Sequence, residues 1–469
     1  MERTLERELK LEAGEGVELE ALGGRALDTR TFTSVYYDTP ERRLLRLGIT
    51  LRRRTENGAG KWQLKLPRPD GRLELEEDGG PADAPPRLRG LLVGALRDEA
   101  IEPVATLKTR RSGRLVGGVE VTLDEVDVLE GQHVVDRFAE IEAELVDGPP
   151  ESLRTLGRAL RKSGARPSRR RTKVEAVVAE ARPERPHAGT APLDHLRGMI
   201  GEQYDELLRH DPSVRVGGDP EAVHDMRVAV RRLRSVLRSS KPMLDPDWVD
   251  GLRDELDWLV QALGAVRDLE VITAHLEAQI AQLDAGDAVL GGRLLEGLRA
   301  RHDGARAELL VTLESDRYLA LLGAIEAAAA APRVRRADLE LTELAAKEFR
   351  RLRRRVRSLP SEPNAATLHK IRIRGKRARY AAELAGRSAG KPAREFVDAA
   401  KEFQDVLGDH QDAIVAETTL RELSRQTRDP EAALVAGRLI EREQRRRAEA
   451  LAAYPRAWKR LKRRGRAWL

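Results

Sequence analysis

The chain has 469 residues, which is too long for one ordinary core and predicts two or three domains. Charged residues make up 35% of the chain and aromatic residues 3%, so an ionic surface or an ionic internal site is expected. The chain has no cysteine, which excludes disulfides, thiolate nucleophiles and cysteine metal ligands. Its N-terminus is charged, and no apolar run approaches the roughly 20 residues that span a bilayer, so we expect a cytoplasmic protein with no membrane partner.

Residues 1–177 alternate between apolar and charged side chains with a period of two, which is typical of short antiparallel strands. In LERELKL, three leucines share one strand face, and Glu6, Glu8 and Lys10 share the other. The segments WQLKL, RLELE, VEVTLD and AEIEAEL repeat this division. A sheet with one solvated face is the usual explanation. Here, however, carboxylates concentrate on some strands and Arg or Lys on others, which favours a closed sheet with a charged lumen. A helix is expected over residues 151–162.

Residues 178–192 contain three prolines and no sustained period, which predicts a linker. Residues 193–469 have helical periodicity and contain an internal repeat, with copies over about 193–330 and 335–469. HDMRVAVRRLR (224–234) aligns without a gap to HKIRIRGKRAR (369–379), and LGAVRD (263–268) aligns to LGDHQD (407–412). The repeat predicts two similar helical bundles related by a pseudo-two-fold axis.

Enclosing many carboxylates is costly unless they are paired or bind metal, and enclosed arginines need anions. Oxygen-only carboxylate clusters suit Mg²⁺ or Mn²⁺, and Arg and Lys suit phosphate oxygens. A triphosphate together with divalent metals would therefore satisfy both sets of side chains.

The order of motifs in this half resembles the CYTH domain, also called the triphosphate tunnel metalloenzyme family. The resemblance covers residues 1–177 and rests on an ExExK signature (Glu6, Glu8, Lys10), then YYDTP, LRRR, LKLP, RLELE, LKTR, TLDEVD, FAEIEAEL and RTKVE. It implies an eight-stranded antiparallel β-barrel tunnel whose lumen holds a linear triphosphate. The implied metal ligands are Glu6, Glu8, Asp124, Glu140, Glu142 and Glu144. The implied phosphate-binding residues are Lys10, Arg52, Arg54, Lys65, Arg72, Lys108, Arg110 and Lys173. Of these metal and phosphate ligands, Glu6, Glu8, Lys10, Arg52, Arg54 and Lys65 are the implied catalytic set.

The helical half carries a basic stripe in each repeat, because its cations recur at the spacing of one helix face. A solvated surface is the ordinary explanation of such a charge run. The same stripe in both repeats, each led by a histidine, favours an anion site. These motifs resemble the CHAD domain over residues 190–469, which implies binding of inorganic polyphosphate. The matched positions are His224, Arg227, Arg231, Arg232, Arg234, His369, Arg372, Lys376, Arg377 and Arg379.

Together, these features predict an α+β multidomain protein: an N-terminal eight-stranded antiparallel barrel and a C-terminal all-α domain of two bundles. The expected activity is Mg²⁺- or Mn²⁺-dependent hydrolysis of inorganic triphosphate to pyrophosphate and phosphate, with polyphosphate bound by the helical domain. Such binding is compatible with association with polyphosphate granules. Two alternatives stay open: a non-catalytic polyphosphate-binding protein, and an enzyme acting on thiamine triphosphate or ATP. The basic segment YPRAWKRLKRRGRAWL is expected to be a final helix of the basic face rather than a nucleic-acid or membrane contact, and the oligomeric state stays open.

Overall fold

The computed structural model describes residues 1–14, 17–168, 172–178, 191–336, 340–360 and 363–468. The chain divides into two compact units. The first comprises Met1–Glu184 and Leu208–Gly217, and the second comprises Arg185–Leu207 and Gly218–Leu469. Most of the linker predicted over residues 178–192 lies outside the described residues, so the linker stays a prediction. No helix in the described part of the chain is long and apolar enough to cross a membrane.

The first unit is built on one antiparallel sheet, in which the described residues form ten strands. These are β1 (Glu2–Glu6), β2 (Glu8–Glu12), β3 (Arg25–Asp38), β4 (Thr50–Glu56), β5 (Ala59–Arg68), β6 (Gly71–Asp78), β7 (Glu102–Val116), β8 (Val119–Glu130), β9 (His133–Leu145) and β10 (Arg166–Pro167). The short helices of this unit are α1 (Arg43–Arg46), α2 (Pro86–Leu91), α3 (Val93–Leu96) and α5 (Glu175–Val178), and the longer one is α4 (Pro150–Lys162).

The sheet closes on itself through its first two strands. The strand order is β1-β6-β5-β4-β3-β7-β8-β9-β2-β10, so β1 and β2 lie at opposite sides of the order although a single residue, Arg7, separates them in the chain. The predicted antiparallel barrel is therefore confirmed, with a different strand count. The count is ten rather than eight because the first strand is split at Arg7 and the two-residue β10 is added beside β2.

Two tight hairpins set the register of the sheet. Asn57 and Gly58 have φ values of 51° and 83°, and Gly117 and Gly118 have φ values of 55° and 80°. Positive φ at both central residues gives the turn that matches strand twist. The hairpins pair Glu56 with Ala59 and Val116 with Val119. Every later pair on these strands follows from those turns, which decides which side chains face the lumen.

The helix expected over residues 151–162 is present as α4, and it covers the apolar side of the sheet. Leu156 and Leu160 of this helix pack with Val121 of β8 and Ile141 and Ala143 of β9. Burial of this outer face leaves the ionic side chains of the same strands on the inner face.

The second unit is all-helical. Its helices, including α6, whose last residues belong to the first unit, are α6 (Pro192–Val216), α7 (Pro220–Ser240), α8 (Pro246–Ile280), α9 (Ala285–Leu294), α10 (Glu296–Glu314), α11 (Asp316–Ala330), α12 (Leu341–Arg357), α13 (Ala365–Gln426) and α14 (Pro430–Trp468). The first repeat lies on α7 and α8. The second lies on the two halves of α13, which Gly390 separates with φ 63° and ψ −148°.

Two apolar clusters hold the helical unit together. One joins the end of α8 to α9, α10, the end of α13 and the start of α14, and includes Leu276 and Leu420. The other joins α12, α13 and the end of α14, and includes Phe349 and Leu461. The long helix α14 therefore belongs to both clusters.

The contact between α12 and α14 requires a glycine. A Cβ atom on Gly465 would lie 2.2 Å from Cζ of Phe349. We expect Gly465→Ala to lower the free energy of unfolding by about 1–3 kcal/mol through overpacking. Gly437→Ala on the same helix is the control, because no atom lies within 4 Å of its added Cβ. That change should be neutral or stabilise by up to about 1 kcal/mol. Urea unfolding of both variants measures this, and equal effects would contradict the packing account.

Candidate functional site

The closed sheet encloses a cavity of about 310 Å³ whose lining is almost entirely ionic. Its cationic lining residues are Lys10, Arg30, Arg52, Arg54, Lys65, Arg72, Arg111 and Lys173, and its acidic lining residues are Glu6, Glu8, Glu74, Glu76, Glu120, Glu142 and Glu144. The remaining lining residues are Thr4, Tyr36, Thr50, Gln63 and Thr172. No aliphatic side chain is part of this lining, so the cavity suits a ligand made of charges rather than an apolar one.

Three neighbouring strands bring like charges together at one side of the cavity. Glu144 of β9 is paired with Glu8 of β2 and with Glu120 of β8. Burial, together with the negative charges of Glu6 and Glu8 and against the opposing effect of Lys65, raises the pKa of Glu144 to about 7. Like charges placed directly across strands are destabilising. This part of the cavity therefore holds an excess of negative charge.

Glu6 and Glu74 share one lysine. Nζ of Lys65 lies 2.7 and 2.6 Å from the two carboxylate oxygens of Glu6 and 3.4 Å from Oε1 of Glu74. Burial opposes ionisation of Glu6, but Lys65 and a hydrogen bond with Glu74 outweigh it and lower the pKa of Glu6. Burial and the neighbouring Glu6 raise the pKa of Glu74 to about 7. One carboxylate of this pair is thus firmly charged while the other titrates near neutrality.

A second acidic group is already neutralised by cations. Nζ of Lys173 lies 2.7 Å from Asp124 and 2.8 Å from both Glu140 and Glu142. Arg111 adds two hydrogen bonds to Asp124, at 2.7 and 2.6 Å, and one to Glu142 at 2.6 Å. Burial alone would raise the pKa of Glu142, yet the surrounding cations hold it well below its usual value. This group is an ion-pair network that joins the cavity lining, at Arg111, Glu142 and Lys173, to the buried Asp124 and Glu140.

Arginines crowd the wall formed by β4. Arg52 donates to Gln63 at 2.7 Å and to the Tyr36 hydroxyl at 3.1 Å, which fixes its guanidinium. Arg54 lies 3.6 Å from the centroid of the Phe32 ring. Burial, followed by the positive charges of Arg52 and Arg111, lowers the pKa of Arg54. This wall therefore carries excess positive charge and would favour a bound anion.

The helical unit has a basic pocket of about 520 Å³, to which both repeats contribute. Arg227 and Arg231 of α7 line it together with Arg372 and Lys376 of α13. Burial, and then the charges of Arg231 and Arg372, lower the pKa of Lys376 to about 6. Among the described residues, six Arg and Lys side chains line the pocket against two carboxylates, Asp268 and Asp412, so cations here outnumber the acids that face them.

Both halves of the chain match known domains. The CYTH domain matches residues 4–172, and the CHAD domain matches residues 198–421. The uncharacterized protein Rv2226 of Mycobacterium tuberculosis is 32% identical over 431 residues, which are 83% of this chain and 81% of that protein. This chain belongs to the family of proteins that join a CYTH domain to a CHAD domain.

Solved structures also resemble the CYTH–CHAD chain. PptA from Streptomyces chartreusis is 23% identical, with a TM-score of 0.49, over 58% of this chain and 100% of that one. The CHAD domain from the plant Ricinus communis is 26% identical, with a TM-score of 0.48, over 59% of this chain and 93% of that one.

Most of the tunnel residues inferred from the CYTH resemblance lie together. The cavity is lined by the predicted Glu6, Glu8, Lys10, Arg52, Arg54, Lys65, Arg72, Glu142, Glu144 and Lys173. The predicted metal ligands Asp124 and Glu140 are buried beside it in the network held by Lys173.

The predicted placement of Lys108 and Arg110 in the tunnel needs correction. Both side chains are exposed, and Arg110 pairs with Glu125 at 2.7 Å on the outer face. The inward cation of β7 is Arg111, because the register pairs it with Asp124. The sequence analysis also missed Arg30, Tyr36 and Arg111 as cavity residues.

The basic stripes of the CHAD unit converge only in part. His224, Arg227, Arg231, Arg372 and Lys376 line the pocket. The other predicted residues lie away from that lining. Arg232 and His369 are exposed, and Arg377 is partly buried. Arg234 pairs with Asp257 at 2.5 Å, and Arg379 pairs with Glu383 at 3.2 Å. The pocket also uses His275 and Arg446, which lie outside the aligned motifs, and Arg267, which lies in the aligned motif LGAVRD but was not among the predicted binding residues.

The carboxylates of the CYTH unit can be compared as sites for a divalent cation. Oxygens of Asp124, Glu140 and Glu142 lie within 4.8 Å of one another, but Lys173 already contacts all three. Glu8, Glu120 and Glu144 are much less neutralised. Within the described ranges, the one ion pair that they form within 4.0 Å joins Lys10 to Glu8 at 3.7 Å. Their uncompensated oxygen donors fit a hard cation such as Mg²⁺ or Mn²⁺. Glu6 already pairs with Lys65 at 2.6 Å, so a cation at Glu6 would compete with that lysine.

The charge of the CHAD pocket predicts a pH effect on stability. With its pKa lowered to about 6, folded Lys376 gives up a proton that the unfolded chain keeps up to about pH 10.4. Stability therefore rises with pH across this window. We expect Lys376→Met to raise the free energy of unfolding, by about 1 kcal/mol or more at pH 7, and this gain to shrink as pH increases towards 9.

Lys370→Met, at an exposed position of the same helix, is the control and should change little at any pH. Urea unfolding between pH 6 and pH 9 measures both variants. A gain that is independent of pH, or equal for the two variants, would show that the cations of the pocket do not destabilise the unliganded protein.

Proposed function

We propose that the CYTH unit hydrolyses short linear phosphate chains, with inorganic triphosphate as its main substrate, and that the CHAD unit binds polyphosphate. The observation that carries the proposal is the segregation of charge inside one cavity. Excess carboxylates lie around Glu144, and excess arginines lie around Arg54. A phosphate chain with divalent cations complements both regions at once, whereas an anion or a cation alone complements one.

The lining of the cavity favours an inorganic chain over an organic triphosphate. Among the described residues that line it, Tyr36 is the single aromatic one, and the hydroxyl of Tyr36 accepts a hydrogen bond from Arg52. A nucleobase or a thiazole ring would need an apolar or aromatic surface for stacking. The cavity offers instead guanidinium and ammonium groups, which bind phosphate oxygens through charge-assisted hydrogen bonds.

In this proposal, the tunnel residues have two roles, which are metal binding and phosphate binding. Glu6, Glu8 and Glu144 would hold Mg²⁺ or Mn²⁺, which when bound neutralises phosphate oxygens and lowers the pKa of a coordinated water. Arg52, Arg54 and Arg111 would orient the chain and stabilise charge on the transferring phosphoryl group. Water adds to the terminal phosphorus, the bond to the bridging oxygen breaks, and pyrophosphate leaves with phosphate as the second product.

In the CHAD unit, the pocket of Arg227, Arg231, Arg372 and Lys376 supports polyphosphate binding. Its cations come from both repeats, and their mutual repulsion is relieved when a polyanion binds. The destabilising charge of the free pocket is therefore expected to be converted into affinity for a ligand.

Phosphate release from inorganic triphosphate tests the catalytic proposal, with ATP, thiamine triphosphate and long-chain polyphosphate in parallel and each in Mg²⁺, Mn²⁺ or EDTA. We expect metal-dependent turnover that is fastest with triphosphate. Arg54→Gln should lower kcat/KM by about 100-fold without loss of stability, since it removes a crowded cation. Glu8→Gln should weaken metal dependence by about 10- to 100-fold.

Arg110→Gln and Glu125→Gln are the matched controls, since these two exposed side chains pair with each other on the outer face. Turnover of both should stay close to that of the wild type. Faster hydrolysis of ATP or thiamine triphosphate would replace the substrate assignment. No turnover of any substrate, with polyphosphate still bound, would make the chain a binding protein.

A further inference from the structure

The last three turns of α14 carry a stripe of exposed cations. Arg456, Lys459, Arg463 and Arg466 are spaced by three, four and three residues, so they lie on one face of the helix. With Lys462 and Arg460, they line a groove of about 890 Å³. At 1.5 Å per residue the stripe is about 15 Å long.

The opposite face of this segment supplies its packing. Ala457, Leu461 and Gly465 are buried, and the Trp458 ring lies 5.6 Å from the Phe403 ring, centroid to centroid. The Trp468 ring likewise lies 5.4 Å from that of Phe396. The basic stripe is therefore not needed to hold the helix in place, and its side chains are available to a partner.

The charge of the groove is not neutralised within the protein. Its one carboxylate, Glu402, pairs with Arg460 at 2.5 Å. Considering the residues that the structure describes, Arg456, Lys459, Lys462, Arg463 and Arg466 have no acidic group within 4.0 Å. Exposed cations concentrated in this way create a field that attracts a linear polyanion.

We propose that this stripe is a second binding surface for a phosphate chain, which long polyphosphate contacts together with the CHAD pocket. The inference rests on the proposed binding of polyphosphate by that pocket. Arg446 lines the pocket and lies on the same helix, ten residues before Arg456. The two surfaces are thus about 15 Å apart along the helix axis at their nearest. A triphosphate contacts one of them, whereas a long chain reaches both and gains affinity through linkage.

The chemistry of the groove favours a phosphate chain over other polyanions. Surfaces for single-stranded nucleic acid combine cations with aromatic rings on which bases stack. Here the rings of Trp458 and Trp468 are packed against other aromatic rings. A membrane-binding helix inserts its apolar face into lipid, and the apolar face of this segment is buried in the protein. Cations without ring faces match a ligand made of phosphate alone.

Binding of long-chain polyphosphate and of triphosphate to the full chain tests the inference, with single-stranded RNA as a third ligand. The variant combines Lys459→Gln, Arg463→Gln and Arg466→Gln. The control combines Arg301→Gln, Arg425→Gln and Arg428→Gln, which removes the same charge from exposed positions outside the pocket and the groove. We expect the stripe variant to bind long-chain polyphosphate at least about tenfold more weakly. The slope of log affinity against log salt concentration should also become shallower by about two, because fewer counterions are released on binding.

Triphosphate binding by the stripe variant should equal that of the wild type, and the control should bind long chains normally. Equal affinity of both variants for long chains would overturn the inference, as would a greater loss of RNA binding than of polyphosphate binding. A double variant, Arg372→Gln with Lys376→Gln, tests the proposed pocket separately from the stripe. If that pair leaves polyphosphate binding unchanged while the stripe variant weakens it, the proposed pocket is wrong and the stripe is itself the binding site.

Discussion

The closed sheet forces charged side chains of neighbouring strands into one enclosed space, and the rest of the CYTH unit depends on how those charges are balanced. The register places Glu8, Glu144 and Glu120 side by side, with no cation at the same level of these three strands. Elsewhere Lys65 and Lys173 neutralise their acidic neighbours at distances below 3 Å. Charge is balanced at Lys65 and Lys173 but not around Glu144 and Arg54, so the parts of the cavity near Glu144 and Arg54 are where external ions are expected to bind.

Charge is also unbalanced in the pocket of the CHAD unit, where the excess is positive. Each repeat contributes cations to a common pocket, and burial together with their repulsion lowers the pKa of Lys376 far below that of a free lysine. In the tunnel, the pKa values of Glu74 and Glu144 are raised to about 7 for the corresponding reason. Sites of this kind lower the stability of the free protein and favour ligands that supply the missing charge.

The sequence predicted the type of fold because its two halves differ in period, and most of the tunnel because ionic residues alternate along its strands. It failed on β7, where LKTR was assigned the wrong face. The two-residue hairpin at Gly117 and Gly118 would have given the correct face of β7. A two-residue turn there pairs Arg111 with Asp124, and paired residues share a face. In the CHAD unit, Arg446 could not be found in this way, since its position depends on the packing of helices distant in the chain. Arg267 could have been found, because it lies in the aligned motif LGAVRD.

The most direct test of the account is the location of metal and phosphate in crystals soaked with Mn²⁺ and triphosphate, using anomalous diffraction to identify the metal. The account predicts Mn²⁺ beside Glu6, Glu8 and Glu144, with phosphate oxygens within hydrogen-bonding distance of Arg52, Arg54 and Arg111. Mn²⁺ bound in place of Lys173 at Asp124 and Glu140, or triphosphate found only outside the tunnel, would contradict it.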